Sequence, residues 1–184
     1  MGEAAVLFSI EDLTAAKKRN ADIFARIKGL SSFFDAFQMS KVHPQGEGLE
    51  KAIKTVMDET GVSPSDIDYI SSSANSSKEL DKVEVKVLKK IFGANLDKIP
   101  VSSIKSMVGE TFSTSGALQI ASCIGAMSRG IIPPTINYQE PDPECNIDCV
   151  PNKGQRKEVK TALVTSFGPG GYNSACILEK YIAN

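Results

Sequence analysis

Residues 105–116, which read Lys-Ser-Met-Val-Gly-Glu-Thr-Phe-Ser-Thr-Ser-Gly, decide how the surrounding chain folds. They lie between a short apolar run at 99–101 and an apolar segment of small residues at 117–129. A strand, a turn rich in serine and glycine, and a helix N-terminus in this order bring backbone N–H groups and polar side chains to one edge of a sheet. We therefore expect a functional site at this edge.

Composition restricts the class of protein to which the chain belongs. Its 184 residues fit a single domain, 1–184, and are 41% hydrophobic and 23% charged, as in soluble globular proteins. A net charge of −1 shows no basic excess for nucleic acid, and no apolar run approaches the roughly 20 residues that span a bilayer. The first 20 residues lack the pattern of a signal peptide, so we expect a cytoplasmic protein that binds neither nucleic acid nor membrane.

The cysteines and the single histidine do not form a recognisable metal or disulfide pattern. The four cysteines are Cys123, Cys145, Cys149 and Cys176. In a cytoplasmic chain we expect them to be reduced thiols. Cys145 and Cys149 are four residues apart, but no second pair accompanies them and the only histidine is His43. We expect no metal site and no cofactor, and His43 is expected in a polar loop.

Two segments carry the apolar spacing of amphipathic helices. Residues 48–60 have apolar side chains three and four positions apart, and Gly61 follows as a helix stop. Residues 77–92 repeat this pattern and are also followed by a glycine. Asp12 can cap a short helix that continues to Arg19, where basic residues complement the helix dipole.

Short apolar runs predict the strands of a sheet. They cover residues 4–10, 23–30, 67–70, 99–102, 161–167 and 174–181. Because a short Gly-Pro-Gly-Gly link joins the last two, these strands should form an antiparallel hairpin. We therefore predict an α/β fold with a mixed five-stranded sheet, helices on both faces and a C-terminal antiparallel hairpin.

Two further segments are predicted to be involved in contacts with other molecules. Residues 112–129 should form a helix that is apolar nearly all round, with no charge before Arg129, and such a helix is normally buried on most sides. One sheet can cover only one side of it. Residues 131–158 contain five prolines and predict a long excursion over the surface, of the kind that is often functional or interfacial.

Several motifs in consistent order resemble the β-ketoacyl-acyl-carrier-protein synthases of the thiolase-like superfamily. Residues 105–110 are similar to the family segment Lys-Ser-Met-Thr-Gly-His. Residues 133–137 resemble its Pro-Pro-Thr-x-Asn loop, and residues 166–173 resemble its Ser-Phe-Gly-Phe-Gly-Gly-x-Asn turn. Shorter similarities lie at 68–70, 81–84 and 91–93. The resemblance covers nearly the whole chain but only the C-terminal half of a family member, and it implies a thiolase-like half.

The departures from this family bear on catalysis. The resemblance places Ser73 and Glu110 where active members carry two catalytic histidines, and none of the cysteines falls at the family's nucleophile. The imidazoles stabilise the enolate that forms on decarboxylation of malonyl thioester. A serine is a weaker donor, and an ionised glutamate only accepts hydrogen bonds. We therefore expect no catalytic residue in this chain.

Two other features follow from the resemblance. The resemblance places Lys105 and Glu84 at the positions of a buried ion pair in the family. The alternative is that both are charged surface side chains in contact with solvent. The family's tunnel or gating loop corresponds to Phe167, Gly168, Pro169, Gly170 and Gly171. Proline stands where the family has a gating phenylalanine, and its fixed φ stiffens the turn.

The sequence therefore predicts the C-terminal half of a chain-length-factor-like subunit, also called a ketosynthase β subunit. The resemblance implies three partners, namely a complementary N-terminal ketosynthase-like half, an active ketosynthase and an acyl carrier protein. The process would be type II polyketide, polyene or fatty-acid-like chain elongation. Two alternatives remain open, a diverged ketosynthase or acyltransferase that uses Ser73 or Glu110 in new roles, and a free-standing acyl-binding or regulatory module.

Overall fold

A computed structural model describes residues 1–183 and contains a mixed five-stranded sheet in the order β1-β7-β6-β2-β3. The strands are β1 (Ala25–Phe34), β2 (Tyr69–Ser71), β3 (Val101–Ser102), β6 (Thr161–Phe167) and β7 (Tyr172–Lys180). Strands β1, β7 and β6 pair antiparallel, whereas β2 pairs parallel with both β6 and β3. The predicted mixed five-stranded sheet is confirmed.

Five α-helices surround this sheet within residues 1–183. They are α1 (Leu13–Lys18), α2 (Glu47–Thr60), α3 (Lys78–Phe92), α4 (Lys105–Val108) and α5 (Ser115–Arg129). Asp12 caps α1 by accepting from two backbone N–H groups, as predicted. Ser77 caps α3 through its hydroxyl, and α2 ends at Gly61 in the left-handed conformation that glycine adopts without strain.

Helices pack on both faces of the sheet, as the apolar spacing predicts. One core cluster joins α2 and α3 to one face, with Leu49, Ile53 and Leu88 fully buried. The other joins α5 to the opposite face, where Cys123 and Met127 pack near Leu178 of β7. The fold class is therefore an α/β layer structure of the predicted kind.

The C-terminal hairpin also agrees with the prediction. Residues 168–171 connect β6 to β7, and the N–H of Gly171 donates to the carbonyl of Gly168 at 3.0 Å. Gly171 has φ +82°, and a Cβ there would lie 3.1 Å from the ring of Phe34. Only glycine fits this turn without strain or displacement of the ring.

Helix α5 is covered on one side only. Gln119, Cys123 and Met127 are buried against the sheet. On the opposite side Ala121 is exposed and Leu118 is half-buried. The sequence predicts that this helix is buried on most sides, but the rest of this chain buries only one side of it.

Residues 4–10 are not a strand, which corrects the prediction from their apolar character. Leu7 and Ile10 are exposed, and the segment pairs with no strand of the described chain. A strand needs a neighbour to pair its backbone groups, and hydropathy alone does not supply one. The segment is held at its first residue, where the Thr114 hydroxyl donates to the Ala4 carbonyl at 3.2 Å, and the chain is held on either side of it, where Gly2 N–H donates to Glu110 O at 2.9 Å and Asp12 caps α1.

Other boundaries shift by a few residues. Strand β1 continues to Phe34, beyond the predicted end at residue 30, because β7 offers backbone partners up to Tyr172. The predicted helix 112–129 begins as a 3-10 turn, Phe112–Thr114, and becomes α-helical at Ser115. The excursion 131–158 is closed by a two-stranded sheet of β4 (Ile131–Ile132) and β5 (Gln155–Arg156). No helix within residues 1–183 is long and apolar enough to cross a membrane.

Candidate functional site

Lys105 lies at the centre of a polar cluster beside the C-terminal ends of β2 and β3. Its Nζ donates to Oε2 of Glu110 at 2.9 Å and to the backbone carbonyl of Ser73 at 2.9 Å. The fold therefore brings together Ser73 and Glu110, the two positions that the family resemblance places in one site. Helix α4 carries Lys105 into this position, and the turn that follows returns Glu110 towards it.

The Glu110 carboxylate accepts hydrogen bonds from four donors. Asn75 Nδ2 (3.0 Å) and Lys105 Nζ (2.9 Å) reach Oε2, while Ser115 Oγ and the Phe112 N–H, both at 2.9 Å, reach Oε1. Partial burial disfavours the charged form, but these bonds outweigh it and lower the pKa of Glu110 to about 2. The group is a fixed anion at neutral pH, with no proton to donate.

Ser73, like Glu110, is held by hydrogen bonds within the fold. Its hydroxyl lies 3.3 Å from both the backbone oxygen and the backbone nitrogen of Phe167, and the residue is buried. Its N–H donates to Oε1 of Glu84 at 3.0 Å. The hydroxyl therefore ties β2 to the end of β6 and has no base beside it to activate it as a nucleophile.

Lys105 and Glu84 do not form the expected ion pair in this structure. Lys105 pairs with Glu110, and within residues 1–183 no cationic nitrogen lies within 4.0 Å of Glu84. Glu84 is buried among the hydroxyls of Ser72 and Thr165, and burial raises its pKa. Burial disfavours the charged form of Glu84, whereas the partly exposed carboxylate of Glu110 takes the lysine.

The glycine turn forms one wall of an open groove of about 510 Å³. Pro169, Gly170 and Gly171 line it together with Phe34 and Phe37. Phe167 and Gly168 lead into the turn from β6. A tunnel or gating role for these five residues stays a prediction, since the groove shows only that the turn borders apolar open space.

The thiols are not placed or ionised as nucleophiles. Burial raises the pKa of Cys123 to about 12 and that of Cys176 to about 11. It also raises the pKa values of Cys145 and Cys149, which lie in the surface excursion. His43 lies in the loop after β1, edge-on to the ring of Phe37. Across residues 1–183, His, Cys, Asp and Glu side chains do not gather in groups of three that could hold a metal.

Three residues of the cluster were not singled out from the sequence. Asn75 and Ser115 are unremarkable polar residues in small-residue segments, and their contacts with Glu110 depend on the fold. Phe112 could have been noticed, because a bulky residue before a helix of small residues interrupts the pattern. Gln119 was also missed, although it is a buried amide in an otherwise apolar helix, and its Nε2 donates to the carbonyls of β2 and β6.

Solved ketosynthase structures share this fold. One match is a chain from the structure of a type II PKS acyl-carrier protein in complex with its ketosynthase bound to the hexaketide. The TM-score is 0.89 and the sequence identity 31%, and the match covers 94% of this chain and 42% of that one. The ishigamide ketosynthase/chain length factor matches with a TM-score of 0.86 and 31% identity, over 92% and 41%. The fold and the position of the cluster define a thiolase-like, ketosynthase-type half.

The sequence comparisons assign the family. Residues 24–139 match the β-ketoacyl synthase C-terminal domain, and the chain belongs to this family. It is 37% identical to the tetracenomycin polyketide synthase ketoacyl synthase alpha subunit of Streptomyces glaucescens, over 98% of this chain and 42% of that protein. It is also 37% identical to the 3-oxoacyl-[acyl-carrier-protein] synthase 2 of Coxiella burnetii, over 98% and 44%. The chain thus spans less than half the length of these relatives.

Proposed function

We propose that this chain is the C-terminal half of a non-catalytic, chain-length-factor-like subunit. It would partner an active ketosynthase in type II polyketide, polyene or fatty-acid-like elongation on an acyl carrier protein. The observation that supports this proposal is the state of the two family histidine positions. Ser73 is buried in backbone contacts, and Glu110 is an anion held by four donors.

The charge on Glu110 opposes the chemistry of an active ketosynthase. Decarboxylation of a malonyl thioester develops negative charge on an enolate oxygen, which needs hydrogen-bond donors. An ionised carboxylate offers none, and it repels both the malonyl carboxylate and the enolate. Lys105 supplies a positive charge, but two of its three N–H donors are used by Glu110 and Ser73, and its charge is paired with that of Glu110. The remaining role of the cluster is to hold the scaffold together.

The apolar surface left uncovered by the chain supports the need for a complementary half. The outer side of α5 is uncovered. Ile27 and Leu30 of the edge strand β1 are exposed on the same face of the sheet as α5. Exposed apolar patches of several hundred Å² are near the upper size found on soluble monomers. At about 25 cal/mol per Å² such a patch strongly favours association, although binding entropy offsets part of the gain.

The experiment is co-expression of the chain with and without an N-terminal ketosynthase-type half, followed by light scattering on a size-exclusion column. We expect a monodisperse complex with the half and aggregation without it. The purified pair should then retain an active ketosynthase in a pull-down but release no carbon dioxide from malonyl-acyl carrier protein above the carrier-protein blank. A well-folded 19.7 kDa monomer would contradict the proposal.

A second candidate is an acyl-binding module, favoured by the groove at the glycine turn. The rings of Phe34 and Phe37 and the side chain of Met39 line it. An alkyl chain would suit these walls without any catalytic group. Saturable binding of a fatty acid by the monomeric chain would favour this candidate over the subunit.

A further inference from the structure

Phe112 has a backbone conformation that bulky side chains avoid. Its φ is +52°, in the left-handed region that glycine and asparagine adopt more readily. Its side chain is 69% exposed, so burial of the ring within this chain does not compensate for the strain. Strain of this kind persists only where neighbouring contacts impose it, and it is concentrated at functional positions.

Glu110 imposes this conformation from both its side chain and its backbone. Its Oε1 accepts the Phe112 N–H at 2.9 Å and the hydroxyl of Ser115 at 2.9 Å, which fixes the carboxylate across the turn. Its backbone carbonyl accepts the N–H of Gly2 at 2.9 Å. Because the pKa of Glu110 is far below neutral, the carboxylate remains an acceptor under all physiological conditions.

The exposed ring of Phe112 lies immediately before α5, the helix whose outer side is uncovered. The 3-10 turn Phe112–Thr114 leads directly into α5 at Ser115. Met107 and Val108 of α4 are exposed on the same connection between β3 and α5. Because Glu110 holds the backbone of Phe112 before any partner binds, covering the aromatic ring costs less conformational entropy, which is a property of an interface anchor.

We propose that Glu110 is a positioning residue that presents Phe112 as an anchor of the interface with the complementary ketosynthase-type half. The inference rests on the proposed function, since it requires that half. Two observations select this occupant. Phe112 is exposed and leads directly into α5, whose outer side is uncovered, and the Streptomyces glaucescens relative has a further part that this chain does not match, since the chain covers 42% of it. Aromatic residues, phenylalanine among them, are enriched in protein interfaces.

The test co-expresses this chain with the part of the Streptomyces glaucescens relative that it leaves unmatched, and measures dissociation of the purified pair on dilution. Phe112→Ala should weaken association about 30-fold or more, as expected for a hot-spot residue. Glu110→Gln should weaken it about 5-fold, because the amide repels some of the four donors while the ring remains. The matched control is Ile182→Ala, since Ile182 is similarly exposed, at 63%, but lies beyond β7.

Phe112→Gly separates presentation of the ring from local stability. Glycine relieves the left-handed strain, so this variant should unfold at a higher temperature than Phe112→Ala and still lose association to the same extent. If Phe112 had only a structural role, its substitution would change the unfolding temperature and leave association with the complementary half unchanged.

Each remaining outcome decides against a specific claim. Association of Phe112→Ala equal to wild type, with Ile182→Ala also equal, would overturn the anchor and leave the proposed function standing. Unchanged association together with tighter binding of dodecanoic acid by Phe112→Ala would assign the ring to an acyl groove and also overturn the anchor. Failure of the wild-type chain to associate at all would overturn both.

Discussion

Replacing Glu110 with alanine should destabilise the folded chain, chiefly by leaving Lys105 without its counter-charge. The Lys105 side chain is only 9% exposed, and the Ser73 carbonyl would be its one remaining partner. Breaking a buried pair costs about 3–5 kcal/mol. The Glu110 side chain is 25% exposed, so water can replace part of the interaction. We expect a loss of about 2–3 kcal/mol in the free energy of unfolding.

The pKa of Glu110 leads to a similar magnitude and to a pH dependence. Lowering it from 4.5 to about 2 corresponds to about 3 kcal/mol at 1.36 kcal/mol per pH unit. Because the folded-state pKa is depressed, this stabilisation is fully present above pH 4.5 and is lost as the pH falls towards 2. The difference between wild type and Glu110→Ala should therefore shrink across this range.

The assay is a urea titration of each variant, co-purified with the complementary half, at pH 6 and at pH 3.5. Glu144→Ala is the matched control, because Glu144 also pairs with a lysine but is 66% exposed. Its loss should stay below about 1 kcal/mol. Equal losses for Glu110→Ala and Glu144→Ala, or an undiminished Glu110→Ala effect at pH 3.5, would refute the reasoning.

Three further outcomes are expected. Glu84→Gln should be within about 1 kcal/mol of wild type at pH 7 in urea titrations, since burial disfavours the charge on Glu84 and the amide oxygen can still accept from Ser72; a loss above about 3 kcal/mol would show that the fold depends on the carboxylate charge. Gly171→Ala should cost about 1–3 kcal/mol by thermal unfolding, because of its positive φ and the 3.1 Å approach to Phe34, and an unchanged midpoint would contradict this. Glu110→His in this chain alone should give no condensation product with malonyl-acyl carrier protein, because one imidazole without a nucleophile cannot hold the acyl chain as a thioester; a condensation product from this variant would show that the site is misread.

The sequence by itself determined the layered α/β fold, because local signals were strong and agreed with one another. The spacing of apolar residues placed α2 and α3, and terminal glycines and capping side chains marked the ends of α1, α2 and α3. The Gly-Pro-Gly-Gly link predicted the β6–β7 hairpin. The family motifs then located Ser73 and Glu110, which the fold does bring to one site.

Only the tertiary structure decided the partners of the charged groups and the fate of the apolar N-terminal run. Lys105 could pair with either carboxyl, and the choice depended on burial, which raises the pKa of Glu84, and on the donors that gather around Glu110. Residues 4–10 have a strand's composition, but they pair with no strand of the described chain. Local sequence records propensity, whereas ion pairing, protonation and strand pairing depend on which distant groups the fold brings within hydrogen-bonding distance.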